Sequence, residues 1–429
     1  MQTPTAFRLS SWLLLILWSL AGCDQPATTD TALIAGASSA TINPPPGAFI
    51  AGDKPNRHFT GIRDSLYARA VVVYDGQTAV ALVTLDCIGL LYPEVQQIQR
   101  RASARVTRFA LPAAQVVVSS THTHSGPDVV GIWGADYTQS GVDSVYMERL
   151  IETAVDQITR AAAAAVPVQA RSASATAGEG WVQNICQEEL DRSLTLIHLR
   201  SPEGQSIATL TNFACHPTYM DARYSEVSAD YVGAYCHEMK RQLGGEHLFL
   251  QGAIGGWVQP VEPDGETTPE KAETRGHELA TQALQSLAHA TSMPATPIRF
   301  RSMPLTLPLE NPAWQQLAAA GVIRRAFTDS VTTEVAWFAL GSAQFATHPG
   351  ETAPYFGLET KKMMQTDGPK FILGLSQDAL GYILKPVYFE DPAAPHAAYL
   401  TSMSTGPQTG PRILACLRAL IPPAHPDGQ

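Results

Sequence analysis

The sequence predicts an α/β protein with a large mixed β-sheet core flanked by helices, and three observations carry that expectation. Apolar runs of strand length at 66–73, 79–85 and 116–118 alternate with longer helical stretches such as 145–165 and 269–290. Polar residues with chemical capacity recur where the apolar runs stop. Hydrophobic residues make up 45% and charged residues 16% of 429 positions, which suits one large buried domain or two and excludes a disordered chain. A net charge of −10 with no Lys/Arg run argues against a nucleic-acid partner. No repeat of fixed period suggests a solenoid.

In chain order, Arg8 precedes an apolar run at 12–18 that is too short to span a bilayer and ends in small residues. Leu20-Ala21-Gly22-Cys23 resembles a bacterial lipoprotein processing site. Residues 1–22 therefore read as a signal peptide, Cys23 as the lipidated residue, and 23–39, rich in Thr, Ala and Ser, as a flexible tether. The expectation is an exported bacterial lipoprotein, held at the membrane by its N-terminal lipid on the periplasmic or cell-surface side. Residues 40–429 read as a single domain. Its five cysteines, Cys87, Cys186, Cys215, Cys236 and Cys416, form no C-x-x-C, and their odd number leaves at least one free thiol.

Pro44-Pro45-Pro46-Gly47 is a rigid turn. The runs 66–73 and 79–85, joined by Asp75-Gly76, read as a hairpin ending at Asp86. A helix is expected over 92–107. The Val116-Val117-Val118 strand then runs into Thr121-His122-Thr123-His124-Ser125-Gly126-Pro127. In extended backbone, histidines at i and i+2 share one face roughly 6–7 Å apart. Such a pair suits metal ligation, or one ligand beside an acid/base group. The spacing also predicts a helix over 145–165, capped by Asp143 or Ser144.

Strands at 194–199 and 207–214 lead into Cys215-His216-Pro217, and a helix follows Asp230. A short strand at 248–250 opens into the Gly252–Gly256 turn. The 335–347 stretch reads as one strand that delivers His348-Pro349-Gly350-Glu351, and 371–373 exits towards Ser376 and Tyr382. In α/β sheets, ligands bind beyond the carboxyl ends of strands. Asp86, His122, His124, His216, Glu351 and Tyr382 all sit at such ends, which points to one shared site. Asp86 reads either as a carboxylate orienting a ligand histidine or as a strand cap. Asp128 is a candidate for the site mouth, and His348 reads as structural.

Thr121-His122-Thr123-His124-Ser125-Gly126-Pro127, Asn212-Phe213-Ala214-Cys215-His216-Pro217 and Pro349-Gly350-Glu351-Thr352 resemble the neutral ceramidase family in order and spacing. Tyr67-Ala68-Arg69-Ala70, Asp230-Tyr231-Val232-Gly233 and Gly406-Pro407 are smaller echoes, so the likeness runs over about residues 34–420. The resemblance implies an α/β catalytic domain holding one zinc ion per chain through two histidines, a glutamate and a tyrosine. Carried over by motif, these are His122, His216, Glu351 and Tyr382, with Tyr388 near the last.

It further implies a zinc-bound water as nucleophile, His124 in proton transfer or oxyanion stabilisation, and backbone N–H groups of Gly255 and Gly256 facing the oxyanion. The implied reaction is cleavage of the carboxamide of an N-acyl-sphingosine or related lipid. Three departures bear on that substrate. The family's serine is absent from Gly255-Gly256-Trp257-Val258-Gln259-Pro260. An arginine expected near Asn184 is replaced by Ile185-Cys186, with Arg192 nearby, and no C-terminal β-sandwich follows Leu420. The alternatives are a divergent amidase or esterase on another small amide or ester, and a membrane-tethered zinc-binding protein without turnover.

Overall fold

The computed structural model describes residue 1 and residues 33–423. The signal-peptide and Cys23 lipidation readings lie outside the described residues. Strands and helices alternate as expected, and the strands divide among several sheets. The first sheet runs Val116–Ser120, Ala79–Leu85, Tyr67–Tyr74, Ile34–Thr41, Val166–Pro167. The second runs Glu246–Gln251, Ser206–Phe213, Ser193–Arg200, Gln169–Thr176, Thr291–Ser292. The third runs Ile298–Pro308, Ser330–Leu340, Ala343–Thr347, Lys370–Leu373.

Each of these sheets is antiparallel except for one parallel pair at its edge. The pairs are Ala79–Leu85 with Val116–Ser120, Ser206–Phe213 with Glu246–Gln251, and Ala343–Thr347 with Lys370–Leu373. The chain segments leaving these six strand ends are Asp86–Ile88, the His122 loop, the His216 loop, the Gly252–Gly256 turn, the Glu351 turn and the Tyr382 approach. Parallel strands buried on both faces need continuous apolar sequence. The 79–85 and 116–120 strands, buried at every position, meet that need.

Buried amide side chains knit the three edges together. Gln251 donates to the carbonyls of Thr121 and Cys215, both at 2.9 Å. Asn212 donates to Leu250 and Ile372 carbonyls, both at 2.8 Å, and accepts from the Ile372 N–H. Gln377 closes a reciprocal pair with Val118. A buried backbone group left unpaired costs about as much as a lost hydrogen bond, so these amides finish ladders that the sheets leave open.

The helix Ser144–Ala163 packs on the first sheet, with Asp143 accepting from the Val145 and Tyr146 N–H groups as its N-cap. Asp230–Leu243 and Pro269–Ala288 pack on each other beside the second.

Two expectations need correction. The tether does not reach residue 39, because Ile34–Thr41 is a strand paired in register with Tyr67–Tyr74. Its small residues suit close packing, not flexibility. A Cβ added to Gly36 would lie 2.1 Å from the Ala161 carbonyl oxygen of the overlying helix. The 335–347 stretch is not one strand. Gly341 at φ 56° turns the chain between Ser330–Leu340 and Ala343–Thr347, which pair antiparallel. All five cysteines in the described residues are free and buried.

Candidate metal centre

His122 enters the site from a kink and not from an extended strand. Its φ is 72°, and its N–H is donated to the Cys87 carbonyl at 2.9 Å. That left-handed residue folds the His122 and His124 rings edge to face, with centroids 5.0 Å apart and the two Nε2 atoms at 3.3 Å. The expected 6–7 Å separation along a straight strand is thereby lost, and the convergence of the two imidazoles is tighter than expected.

The ring of His122 is oriented by Nδ1, which bonds the Ile88 carbonyl. That of His216 is oriented the same way by the Val258 carbonyl, at 2.7 Å from Nδ1 and 2.9 Å from the His216 N–H. A carbonyl only accepts, so in each ring Nδ1 carries the proton and the neutral form has its lone pair on Nε2. Both lone pairs meet the same oxygen. Glu351 Oε2 lies 3.0 Å from His216 Nε2 and 3.4 Å from His122 Nε2. Burial alone would raise the Glu351 carboxyl, but a positive charge or N–H donated by His122 and His216, as in their protonated forms, holds it well below the usual carboxylate range.

His124 completes the group: the ligand atoms of His122, His124 and His216 lie within 4.8 Å of one another. Burial first, then the neighbouring His122 and His216, push the His124 imidazole well below its ordinary pKa. Its Nδ1 is buried without a partner.

Tyr382 pairs with Glu351 in a two-residue parallel ladder, and the Glu351 N–H is donated to Gly381 at 2.9 Å. Burial, then the Glu351 carboxylate, push the Tyr382 hydroxyl well above its ordinary pKa.

These donors fit a borderline divalent cation. Two Nε2 atoms converge on one carboxylate oxygen, a third imidazole stands beside them, and nitrogen with carboxylate oxygen is a suitable donor chemistry.

Other candidates fall outside this cluster or change role. The Gly255 N–H is donated to Thr352 O at 2.8 Å, so it is not free for an oxyanion. A Cβ on Gly255 would collide with the Glu351 carbonyl at 2.1 Å, so this glycine is there to let the Glu351 turn approach. Gly256 is buried, has φ 76°, and a Cβ there would meet nothing within 4 Å.

Asp86 accepts from the Tyr67 N–H at 2.8 Å and pairs with Arg69 at 2.6 Å, which settles it as a strand cap. Asp128 accepts the Val130, Gly131 and Trp133 N–H groups and shapes its own loop. His348 is buried against Thr360. Arg192 spends its guanidinium on the carbonyls of Gly178 and Val182, so it does not stand in for the missing arginine.

Trp257, at φ 72°, stacks on Tyr399 at 5.2 Å and meets His396 edge-on at 5.0 Å. Nothing in the sequence marks that non-glycine residue as left-handed. The carbonyls of Ile88 and Val258 were equally invisible as orienting partners, because any residue supplies one.

Residues 50–281 match the family model described as neutral/alkaline non-lysosomal ceramidase, N-terminal. That span covers 232 of 429 residues, more than half the chain. The chain belongs to the neutral/alkaline ceramidase family. The matched span includes His122, His124 and His216 and ends before Glu351 and Tyr382, so the carboxylate half of the cluster is joined to it by the fold.

Neutral ceramidase from Pseudomonas aeruginosa has a similar fold, with a TM-score of 0.74 at 15% identity over 93% of this chain and 76% of that one. A ceramidase structure described as complexed with C2 gives 0.73 at 14%, over 93% and 77%.

Proposed function

We propose that this chain is a zinc-dependent hydrolase that cleaves the carboxamide of a ceramide-like N-acyl lipid, with one zinc ion held by His122, His216, Glu351 and Tyr382. Family membership supports ceramidase-like hydrolysis. The observation that carries the metal is the convergence of His122 Nε2 and His216 Nε2 on Glu351 Oε2 at 3.4 and 3.0 Å, each ring fixed by a backbone carbonyl.

When bound, zinc acts as a Lewis acid and lowers the pKa of water from 15.7 to about 7. His122 and His216 keep their Nδ1 protons on Ile88 and Val258, so their Nε2 atoms stay aimed at the cluster. Glu351 stays ionised and contributes the charge. Tyr382, beside Glu351, supplies a phenolic oxygen. His124, kept neutral by burial, takes a proton at Nε2 from the attacking water and returns it to the leaving amine. Trp257 stacks on Tyr399, whose ring meets Tyr382 edge-on at 6.1 Å, so aromatic surface able to pack on an acyl chain lies beside the proposed ligands.

Metal analysis of the purified protein, then assay on a panel of N-acyl and ester substrates, tests this reading. The expected result is about one zinc per chain and turnover of an N-acyl lipid that disappears in His122→Ala and Glu351→Ala. Stoichiometric zinc with no turnover on any substrate would make the chain a zinc-binding protein instead. The Leu20-Ala21-Gly22-Cys23 string supports a lipid anchor on Cys23. Cys23→Ser should then release the protein from membranes, and mass spectrometry of the mature N-terminus should find acyl chains on the wild type alone.

A further inference from the structure

The three imidazoles are held in two different ways, and the difference singles out Arg57. His122 and His216 each anchor Nδ1 on a carbonyl. His124 has no such anchor, since its Nδ1 is buried and unpartnered, and its own N–H reaches Pro217 O at 3.4 Å. What lies against its ring is the backbone of Gly52. At φ 86°, Gly52 is placed so that a Cβ would sit 2.5 Å from His124 Nδ1 and 2.7 Å from Cγ. Only glycine tolerates both that conformation and that approach.

The turn that presents Gly52 is costly by itself. Asp53 and Asn56 also have positive φ, at 55° and 60°. Strained backbone of this kind persists where the surroundings over-determine it.

The fastening is Arg57. One terminal nitrogen donates to Gly52 O at 3.4 Å and Asp53 Oδ2 at 3.2 Å, and the other to the carbonyls of Asp221 at 3.1 Å and Tyr224 at 2.8 Å. The side chain is 6% exposed, and its Nε is buried without a partner. A planar fork reaching four acceptors on two segments is a task for arginine and not for lysine. The Ala51 N–H to Gly126 O and the Asn56 N–H to Gly134 O tie the same turn to the loop that follows His124.

We infer that Arg57 is a positioning residue: it clamps the Gly52–Asn56 turn onto the His124 ring and so sets the imidazole for proton transfer. This rests on the role given to His124 above. Arg57→Ala should lower kcat by roughly ten- to a hundredfold, since misplacement by about 1 Å can cost that much. KM and zinc content should stay at wild-type values, because His122, His216 and Glu351 are anchored elsewhere. Arg57→Lys should remain impaired, and added methylguanidinium should restore Arg57→Ala. Gly52→Ala keeps the clamp but collides with the ring, and should lose kcat likewise.

A second readout does not depend on turnover. In metal-free Arg57→Ala, hydrogen exchange should quicken at the Ala51 and Asn56 amides, and diethyl pyrocarbonate should modify His124 faster, with the rest of the chain unchanged. Wild-type kcat in Arg57→Ala overturns the inference. So does a loss that spreads to exchange across the whole chain and resists methylguanidinium, because the residue would then serve stability alone. If the wild type turns over no substrate, the proposed reaction fails, and the exchange and modification data alone decide whether Arg57 holds the turn on His124.

Discussion

The histidine cluster and the cavity between the helices Asp230–Leu243 and Pro269–Ala288 make an instructive pair. The cavity encloses about 640 Å3 and is lined by Arg63, Asp64, Arg69, Asp230, Lys240 and His247 among others, with no member of the cluster in its wall. Volume and charge make it look like a site. Its aspartate, arginine and lysine groups are paired, although His247 keeps a buried Nδ1 without a partner. Asp64 accepts from Ser228 and the Ala229 N–H, Asp230 from the Met220 and Tyr231 N–H groups, Arg69 pairs with Asp86, and Lys240 with Glu246. At the cluster three imidazoles and one carboxylate converge instead, with His216 and His122 Nε2 at 3.0 and 3.4 Å from the same Glu351 oxygen. Convergence of several titratable groups on one point marks a functional site better than volume does.

The sharpest break of that comparison is removal of a cluster member. His216→Ala or Glu351→Ala should abolish stoichiometric zinc, read by metal analysis, and cut turnover by at least about a hundredfold. Either variant keeping its metal would mean that the cluster does not hold it.

Tyr382→Phe comes next. Zinc should bind about tenfold more weakly, read by competition with a chelator, because one oxygen donor is lost from an otherwise intact group.

The cavity side offers a stability effect and no catalytic one. Burial pushes Asp230 up to about 7 from an ordinary 3.8, so the folded chain holds this proton more tightly than the unfolded chain. The stability it lends is complete below pH of about 4 and is lost as pH rises towards 7, by at most about 1.4 kcal/mol per unit. Denaturant titrations from pH 4 to 7 should show that slope in wild type and its loss in Asp230→Asn.

The smallest effect belongs to Lys240→Ala. Its pair with Glu246 is half-exposed, so the cost should stay below about 1 kcal/mol with turnover unchanged. A marked loss of turnover here would make the cavity part of the site after all.

Much of the fold and some of the cluster were legible in the residues. The hairpin at 67–85 follows from apolar runs on either side of Asp75-Gly76, and the N-cap of Ser144–Ala163 was narrowed to Asp143 or Ser144, of which Asp143 makes the bonds. His122, His216 and Glu351 could be nominated because each polar residue interrupts an apolar strand at its carboxyl end, where α/β sheets place ligands. The end of the tether at residue 39 was misplaced because Ala, Ser, Gly and Thr serve flexibility and close packing equally, and only the helix over Gly36 decides between them. The oxyanion role of Gly255 failed for a related reason: a glycine turn offers N–H groups, and sequence does not say which carbonyl has already taken one.

By itself, then, the chain determined the strands at 67–74, 79–85, 116–120 and 206–213 and which side chains stand where they stop, since periodicity and turn chemistry are local properties. Tertiary structure decided that three separate parallel edges meet, through Asn212, Gln251 and Gln377, so that their ends share one place. It also decided which ring nitrogen faces inward, because the Ile88 and Val258 carbonyls come from segments remote from the rings they orient. Such partners are backbone atoms common to every residue, and only their position in space gives them a role.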